Sequence, residues 1–328
     1  MSEETGTAGA TECLVVLNPT AGAGAGARLR GEIERELRSR GVPFELRATT
    51  SHGHARELAA AAAAAGIPAV VAAGGDGTIH DVACGILEAA TATRLGTIPI
   101  GRGNDFVKVV GIAGRAAAYA ALAAGRTRTI DAGRVRWQDG AEFFVNGVGT
   151  GIDVEVVRQI LRARNVPRRL VYIVGLARAL LRYRAIPLAV SVDGRRIEKR
   201  VMTATVTNGS CIGGNFRICP TARPDDGMLD LCLIDEVGLL SAARLAPKVL
   251  RATHADDPAV TMVRAASFTI ESEQPLVFQI DGELREPPGV LRLLVDVLPG
   301  ALRVLAPHTG PDAVDDAAAA AAVRQPSA

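Results

Sequence analysis

Ala69-Val70-Val71-Ala72-Ala73-Gly74-Gly75-Asp76-Gly77-Thr78 is an uninterrupted apolar run that ends in glycines. Helical periodicity follows at once over residues 79–90. A strand of this length with no polar position is buried on both faces, and here it feeds a helix through a glycine turn. Glycines at a strand's carboxyl end let backbone N–H groups wrap an anion, and Thr78 adds a hydroxyl donor. Asp76 beside a phosphate would repel it unless Mg²⁺ or ordered water stood between, so Asp76 implies a metal. The alternative is a purely structural turn. No G-x-x-x-x-G-K-[ST] run occurs, which excludes a standard P-loop.

Upstream, the same alternation repeats. Cys13–Leu17 is an apolar strand closed by Asn18-Pro19 and a glycine-rich loop, and residues 28–40 carry Leu29, Ile33 and Leu37 at helical spacing. Phe44–Ala48 reads as a strand and residues 55–65 as an alanine-rich helix. The GAGAGA loop satisfies a dinucleotide fingerprint at Gly22, Gly24 and Ala27, with Glu45 for a ribose; a flexible turn explains it equally well. Downstream, residues 95–100 form a strand that runs into Gly101-Arg102-Gly103-Asn104-Asp105-Phe106. This second glycine turn sets Asp105 near Asp76, and with Asp131 the three carboxylates are expected around one cation. A helix cap is the alternative for Asn104 or Asp105.

After about Asp131 the chain turns strand-rich, with hairpin signals at Asp139-Gly140, Asp193-Gly194 and Asp281-Gly282. Helices are expected near 154–164, 169–184 and 239–251. The fold class is therefore α/β with two domains, a doubly wound parallel N-terminal domain and a C-terminal antiparallel β-sandwich or barrel. The expected limits are a disordered lead at 1–11, the α/β domain at 12–132 and the β-rich domain at 133–298. A return segment to the first domain at 299–306 and a disordered tail at 307–328 complete the chain. The cleft between the domains is the default site. In Gln279-Ile280-Asp281-Gly282-Glu283, carboxylates two positions apart across a turn can serve as a general base and its supporter, although an ordinary hairpin looks the same. Arg223-Pro-Asp-Asp226-Gly227-Met228 is a tight turn of the kind that binds cations, or a turn only.

Composition narrows the function. Hydrophobic residues make up 48% and charged residues 22%, the shares of a folded protein. Aromatics at 3% disfavour base stacking, and a net charge of +2 recruits no polyanion, so no nucleic-acid partner is expected. The 5 cysteines include no CxxC pair, which excludes a disulfide scaffold or zinc ribbon and fits a reducing cytosol. No run has the length and apolarity of a membrane span, and the polar N-terminus is no signal peptide.

The motifs in their joint order resemble the diacylglycerol kinase catalytic family, soluble bacterial lipid kinases related to sphingosine and ceramide kinases and, more distantly, NAD kinases. The resemblance runs from about Cys13 to Leu305. It is carried by Asn18-Pro19, GGDGT at 74–78, GRGNDF at 101–106, Asp131-Ala-Gly133, FVNGVGTGID at 144–153, GGNFRICP at 213–220, DDGMLD at 225–230 and DGE at 281–283. GGDGT alone is shared with NAD kinases and phosphofructokinases; the later motifs select the lipid kinases. The resemblance implies an ATP- and Mg²⁺-dependent kinase of a lipid hydroxyl, with diacylglycerol the leading acceptor and phosphatidic acid the product. Sphingoid bases, phosphatidylglycerol, NAD or a non-catalytic nucleotide-binding role are the alternatives. By similarity, Asn18, Thr50, Gly74, Gly75, Asp76, Gly77, Thr78, Asp81, Gly101, Arg102 and Asn104 hold ATP. Asp76, Asp105 and Asp131 form an acidic Mg²⁺-linked network, and Arg223, Asp226 and Met228 a structural Mg²⁺ site, partly through main-chain carbonyls. Asp281 and Glu283 are the catalytic carboxylates, one of them the base. Both amide variants are expected to fold, and at least one to lose activity.

Two positions depart from the family pattern. Arg102 replaces the usual Thr, and His80-Asp81 stands where Asn-Glu is common; His80 reads as a packing or hydrogen-bonding residue at a helix start. Between Glu155 and Asp193 there is no acid, while eight arginines lie among apolar residues over 158–184. This segment is expected to be a membrane-docking face of a cytoplasmic, peripherally associated protein, or else a packed helix pair. Folds of this kind often pair, so a homodimer is one option, but the sequence does not give the oligomeric state.

Overall fold

The computed structural model describes residues 12–101, 103–162, 185–213 and 216–307. Its first part runs β1 (Cys13–Leu17), α1 (Ala21–Ser39), β2 (Phe44–Ala48), α2 (His54–Ala64), β3 (Ala69–Gly74), α3 (Asp76–Ala89) and β4 (Arg94–Pro99). β1 pairs in parallel with β2 and β3, and β3 with β4, so the strands lie side by side as β4-β3-β1-β2. Both faces are covered, which is why β1 and β3 carry no polar residue. Val15 and Val71 pack toward Ile33 and Leu37 of α1. Val16, Val70 and Ala72 pack toward Ala59 of α2 and Ile79 and Val82 of α3. The chain leaves β1 toward one edge of the sheet and β3 toward the other. Their carboxyl ends therefore diverge and leave a crevice, the ligand position of open α/β sheets.

Two features shape that crevice. Gly22, Ala23 and Gly24 have φ of 61°, 59° and 80°, so the start of α1 is a left-handed loop and not a regular turn. Gly22 is required there, since a Cβ would lie 2.5 Å from the Ile100 carbonyl oxygen. The small residues of α2 let α3 approach closely: a Cβ on Gly85 would lie 2.4 Å from the Arg56 carbonyl oxygen. This close packing sinks the inner face of α3, His80 included, into the molecule.

The chain continues through α4 (Asp105–Val109), α5 (Arg115–Ala124), β5 (Thr127–Trp137), β6 (Gly140–Phe144), β7 (Gly147–Gly151), α6 (Ile152–Arg162), β8 (Ile186–Val192) and β9 (Arg195–Thr207). Then follow β10 (Leu229–Asp235), α7 (Leu239–Leu250), β11 (Val260–Ala265), β12 (Ser267–Glu271), β13 (Phe278–Ile280), β14 (Glu283–Arg285) and β15 (Arg292–Leu305). Antiparallel pairing joins these strands around Phe144, Val206, Leu231, Phe268 and Phe278. The expected turns at 193–194 and 281–282 have both residues left-handed, with φ of 48° and 74° and of 48° and 90°. That is the type I′ geometry that selects Asp-Gly. The helix expected at 169–184 lies outside the described residues.

The two parts share strands. β5 and β15 pair from Leu294–Arg136 to Leu305–Thr127, with a register shift between Leu298 and Leu302. Beyond the shift, Val304 pairs in parallel with Leu95 of β4. The segment at 299–306 is thus the bent end of one long strand, and the expected limit at 132–133 falls within β5. Strands that bend at a bulge serve both layers.

Candidate active site

A polar cleft of about 470 Å³ opens at the diverging strand ends, lined by Asn18, Thr20, Thr50, His52, Gly75, Gly77, Thr78, Asp81 and Glu283. Asn18 ties its two main loops together. Its Nδ2 donates to Thr78 Oγ1 at 3.0 Å, and its Oδ1 accepts from the Thr20 N–H at 3.0 Å and the Thr20 hydroxyl at 2.8 Å. The glycines keep the floor narrow: a Cβ on Gly101 would lie 2.6 Å from Gly75 Cα, and one on Gly74 would lie 2.4 Å from Thr78 Oγ1. Thr50 is held locally, its N–H donating to His54 Nδ1 at 3.1 Å. The start of α3 has no side-chain cap on its N–H groups, and a helix N-terminus of this kind favours an anion. Arg102 lies outside the described residues.

The DGE turn splits its two carboxylates between different jobs. Asp281 Oδ2 accepts from the Val145 N–H at 2.9 Å, and Oδ1 from the N–H groups of Asn146 and Gly147 at 2.8 Å each. Its side chain has no exposed surface. Asp281 therefore anchors the turn against the loop between β6 and β7. Glu283 keeps 23% of its side chain exposed and lines the cleft. Of the pair, Glu283 is the one placed to take a proton from a molecule in the cleft. Gln279 braces the turn, its Oε1 accepting from the Gly282 N–H at 2.7 Å. Asp81 stands on the same side, and burial followed by the nearby Glu283 pushes its carboxyl up from the usual carboxylate range.

His80 is more than a packing residue. Its Nδ1 lies 2.9 Å from Asp281 Oδ2 and its Nε2 3.0 Å from Glu142 Oε1, so α3 is bolted to the β13–β14 turn and to β6. Donating from both ring nitrogens requires the imidazolium. Burial opposes that charge, but Cys84, Asp281 and Glu142 outweigh it and raise the imidazole pKa well above 6.5. Burial would likewise raise Glu142, yet hydrogen bonds from His80 and Arg285 hold it at about 2. Glu142 and Arg285 carry no motif, and the sequence reading passed over them. The one local signal was His80, which stands where Asn is common in the family pattern.

A second cavity, of about 150 Å³, lies behind the turn. Its walls are almost entirely apolar. Ala242, Leu245, Ala246 and Val249 form one stripe of α7, facing Ile152, Val156, Met202 and Ile234. Asp153 stands at the wall, its Oδ2 accepting from the Thr205 hydroxyl, and burial pushes its carboxyl up against the hydroxyls of Thr205 and Thr203. Gln279 and Gly282 also line this cavity.

The acids expected to gather around Mg²⁺ do not converge. Asp76 accepts from the backbone N–H groups of Asn104 at 2.7 Å and Asp105 at 2.8 Å, fastening the two glycine loops together. Asp131 accepts from Gly227 at 2.7 Å and Gly300 at 2.8 Å. Asp105 faces Lys108 at 3.6 Å. At the 223–228 turn, Asp226 caps the Met228 N–H at 3.1 Å and lies 3.3 Å from Arg264, a cation already beside it, while Arg223 pairs with Asp225 at 3.4 Å. Among the described residues no group of three His, Cys, Asp or Glu side chains is arranged to hold an ion. Each carboxylate oxygen of Asp76 and Asp131 accepts one backbone N–H, so these side chains hold loops and turns together as they stand. Of the expected membrane-docking segment, 163–184 lies outside the described residues, and Arg158 pairs with Glu286 at 2.6 Å. Among the described residues no helix is long and apolar enough to cross a membrane.

Glycine loops at the switch point of a doubly wound sheet, faced by a carboxylate from the second domain, have the arrangement of a two-domain kinase. Comparison with known proteins agrees. Residues 12–135 match the diacylglycerol kinase catalytic domain, and residues 146–306 the YegS C-terminal NAD kinase beta sandwich-like domain. The chain is 33% identical over 298 residues to the diacylglycerol kinase of Mycobacterium tuberculosis (strain CDC 1551 / Oshkosh), covering 89% of this chain and 94% of that one. It is 28% identical over 272 residues to the diacylglycerol kinase of Bacillus subtilis (strain 168), covering 82% and 88%. A solved diacylglycerol kinase structure from Bacillus anthracis str. Sterne superposes with a TM-score of 0.68 at 20% identity over 91% of this chain and 97% of that one, a likeness of fold. The chain belongs to the diacylglycerol kinase family of lipid kinases.

Proposed function

We propose that this kinase transfers the γ-phosphoryl group of MgATP to the hydroxyl of diacylglycerol, giving phosphatidic acid and ADP. One observation carries the reading: the 279–283 turn is a wall of both cavities. Glu283 faces the polar cleft, while Gln279 and Gly282 line the apolar one. An acceptor with an apolar body and a hydroxyl head fits that junction, its chains against α7 and its oxygen beside Glu283. A water-soluble acceptor such as NAD would gain nothing from the apolar wall. The names of the relatives point to the same acceptor.

Within this reading the glycine loops and Thr78 hold the phosphates, whose charge Mg²⁺ bound with the nucleotide would shield. The acceptor oxygen bonds to the γ-phosphorus as the bond to the ADP oxygen breaks, and Glu283 takes the hydroxyl proton. Such a reaction depends on positioning and charge neutralisation more than on covalent chemistry. Ala246→Phe, which narrows the apolar cavity from the α7 side, should raise KM for diacylglycerol on the order of tenfold. KM for ATP should stay within about twofold, since the phosphate cleft is untouched. Steady-state kinetics with each substrate varied in turn tests this. An unchanged lipid KM would remove the apolar cavity from the acceptor site.

A further inference from the structure

Arg285 completes a chain of contacts that begins in the nucleotide-binding domain. Its Nε and Nη2 donate to Glu142 at 2.8 and 2.5 Å, and Nη2 also lies 3.2 Å from Glu283 Oε2. Glu142 Oε1, the oxygen that accepts from Nη2, also receives His80 Nε2 at 3.0 Å. One oxygen of the cleft carboxylate thus rests on a guanidinium, and that guanidinium is fixed by an acid which α3 holds in place. The other oxygen, Oε1, faces the glycine loop, where a Cβ on Gly77 would lie 3.1 Å from it. A glutamate at a hairpin end is otherwise free to change rotamer. Held at one oxygen, it presents the second to the loop that would carry the phosphates. The planar fork grips both oxygens of Glu142 with two nitrogens while Nη2 also reaches Glu283; a lysine ammonium, with one nitrogen, has no such bidentate grip.

We propose that Arg285 is the positioning residue for Glu283, and that His80, through Glu142, holds Arg285 in place, so that the aim of the proton acceptor is set by α3 of the opposite domain. This rests on the reading of Glu283 as the base of a lipid kinase. If Arg285 were only a staple between domains, its loss would lower stability without a selective effect on turnover.

The test uses the full chain, MgATP and a short-chain diacylglycerol in mixed micelles, with thermal melts of every variant. Arg285→Gln should lower kcat on the order of 10²-fold, the scale set by misplacing a reacting group. KM for ATP should remain within about twofold. Arg285→Lys should recover only part of the loss, and Glu142→Gln should reproduce it with Arg285 and Glu283 both present. His80→Asn should move kcat in the same direction. A kcat within about twofold of wild type in folded Arg285→Gln overturns the proposal. So does a loss in all four variants that vanishes once the assay is run well below each melting temperature. A wild-type chain that labels no lipid removes the lipid-kinase reading and the proposal with it; an active wild type with unaffected variants removes the proposal alone.

Discussion

Glu283→Gln should fold as wild type and lose turnover on the order of 10²–10⁴-fold, the contribution of a positioned base. The substitution keeps the shape of the side chain and an oxygen for Arg285 but removes the site that accepts a proton. Nothing in the core depends on it, since the side chain is 23% exposed at the rim of the cleft. The measurement is kcat with saturating MgATP and lipid, beside a melting curve. Wild-type turnover in a folded Glu283→Gln protein would strip this residue of its role. The neighbouring Asp81 would then be the carboxylate to replace next, since it lines the same cleft.

Asp281→Asn, two residues away, should act on the fold first. Asp281 receives three backbone N–H groups and a ring nitrogen of His80. An amide must turn its NH₂ toward one of these donors, leaving the buried imidazolium with half its compensation. Breaking one side of a buried ion pair costs about 3–5 kcal/mol. Backbone strain is not the cause, because Asn tolerates the left-handed φ of 48° as readily as Asp does. The expectation that both amide variants fold alike thus gives way for Asp281. The pH dependence has a definite sign. The raised pKa of His80 means its stabilisation is complete below its ordinary value of 6.5 and is lost as pH rises through the folded value. The stability gap between wild type and Asp281→Asn should therefore be widest below pH 6.5 and narrow toward alkaline pH. Denaturant titrations across that range measure it, and a gap that widens with pH would show that His80 is not charged in the folded protein.

Much of the architecture was legible along the chain because its causes are local. Unbroken apolar runs at Cys13–Leu17 and 69–74 mark strands covered on both faces, and Asp-Gly at 281–282 marks a turn with two left-handed residues. The division of labour within DGE was not legible. It is set by the N–H groups of residues 145–147, which reach Asp281 from more than a hundred positions away. His80 is in the same case, with partners 62 and 201 positions distant. The structural contacts of the acids were hidden for a related reason. A carboxylate beside a glycine-rich loop looks like a cation ligand, but such a loop also carries unpaired N–H groups. Asp76 and Asp131 satisfy those.

The most direct test is transfer itself. Purified full-length protein would be incubated with γ-labelled ATP, Mg²⁺ and mixed micelles presenting diacylglycerol, sphingoid base or phosphatidylglycerol, with NAD as a soluble acceptor. Label entering phosphatidic acid, and absent from the Glu283→Gln reaction, is the expected result. Label entering NAD, or no labelled lipid from a protein that binds ATP, would contradict the assignment of a diacylglycerol-phosphorylating site.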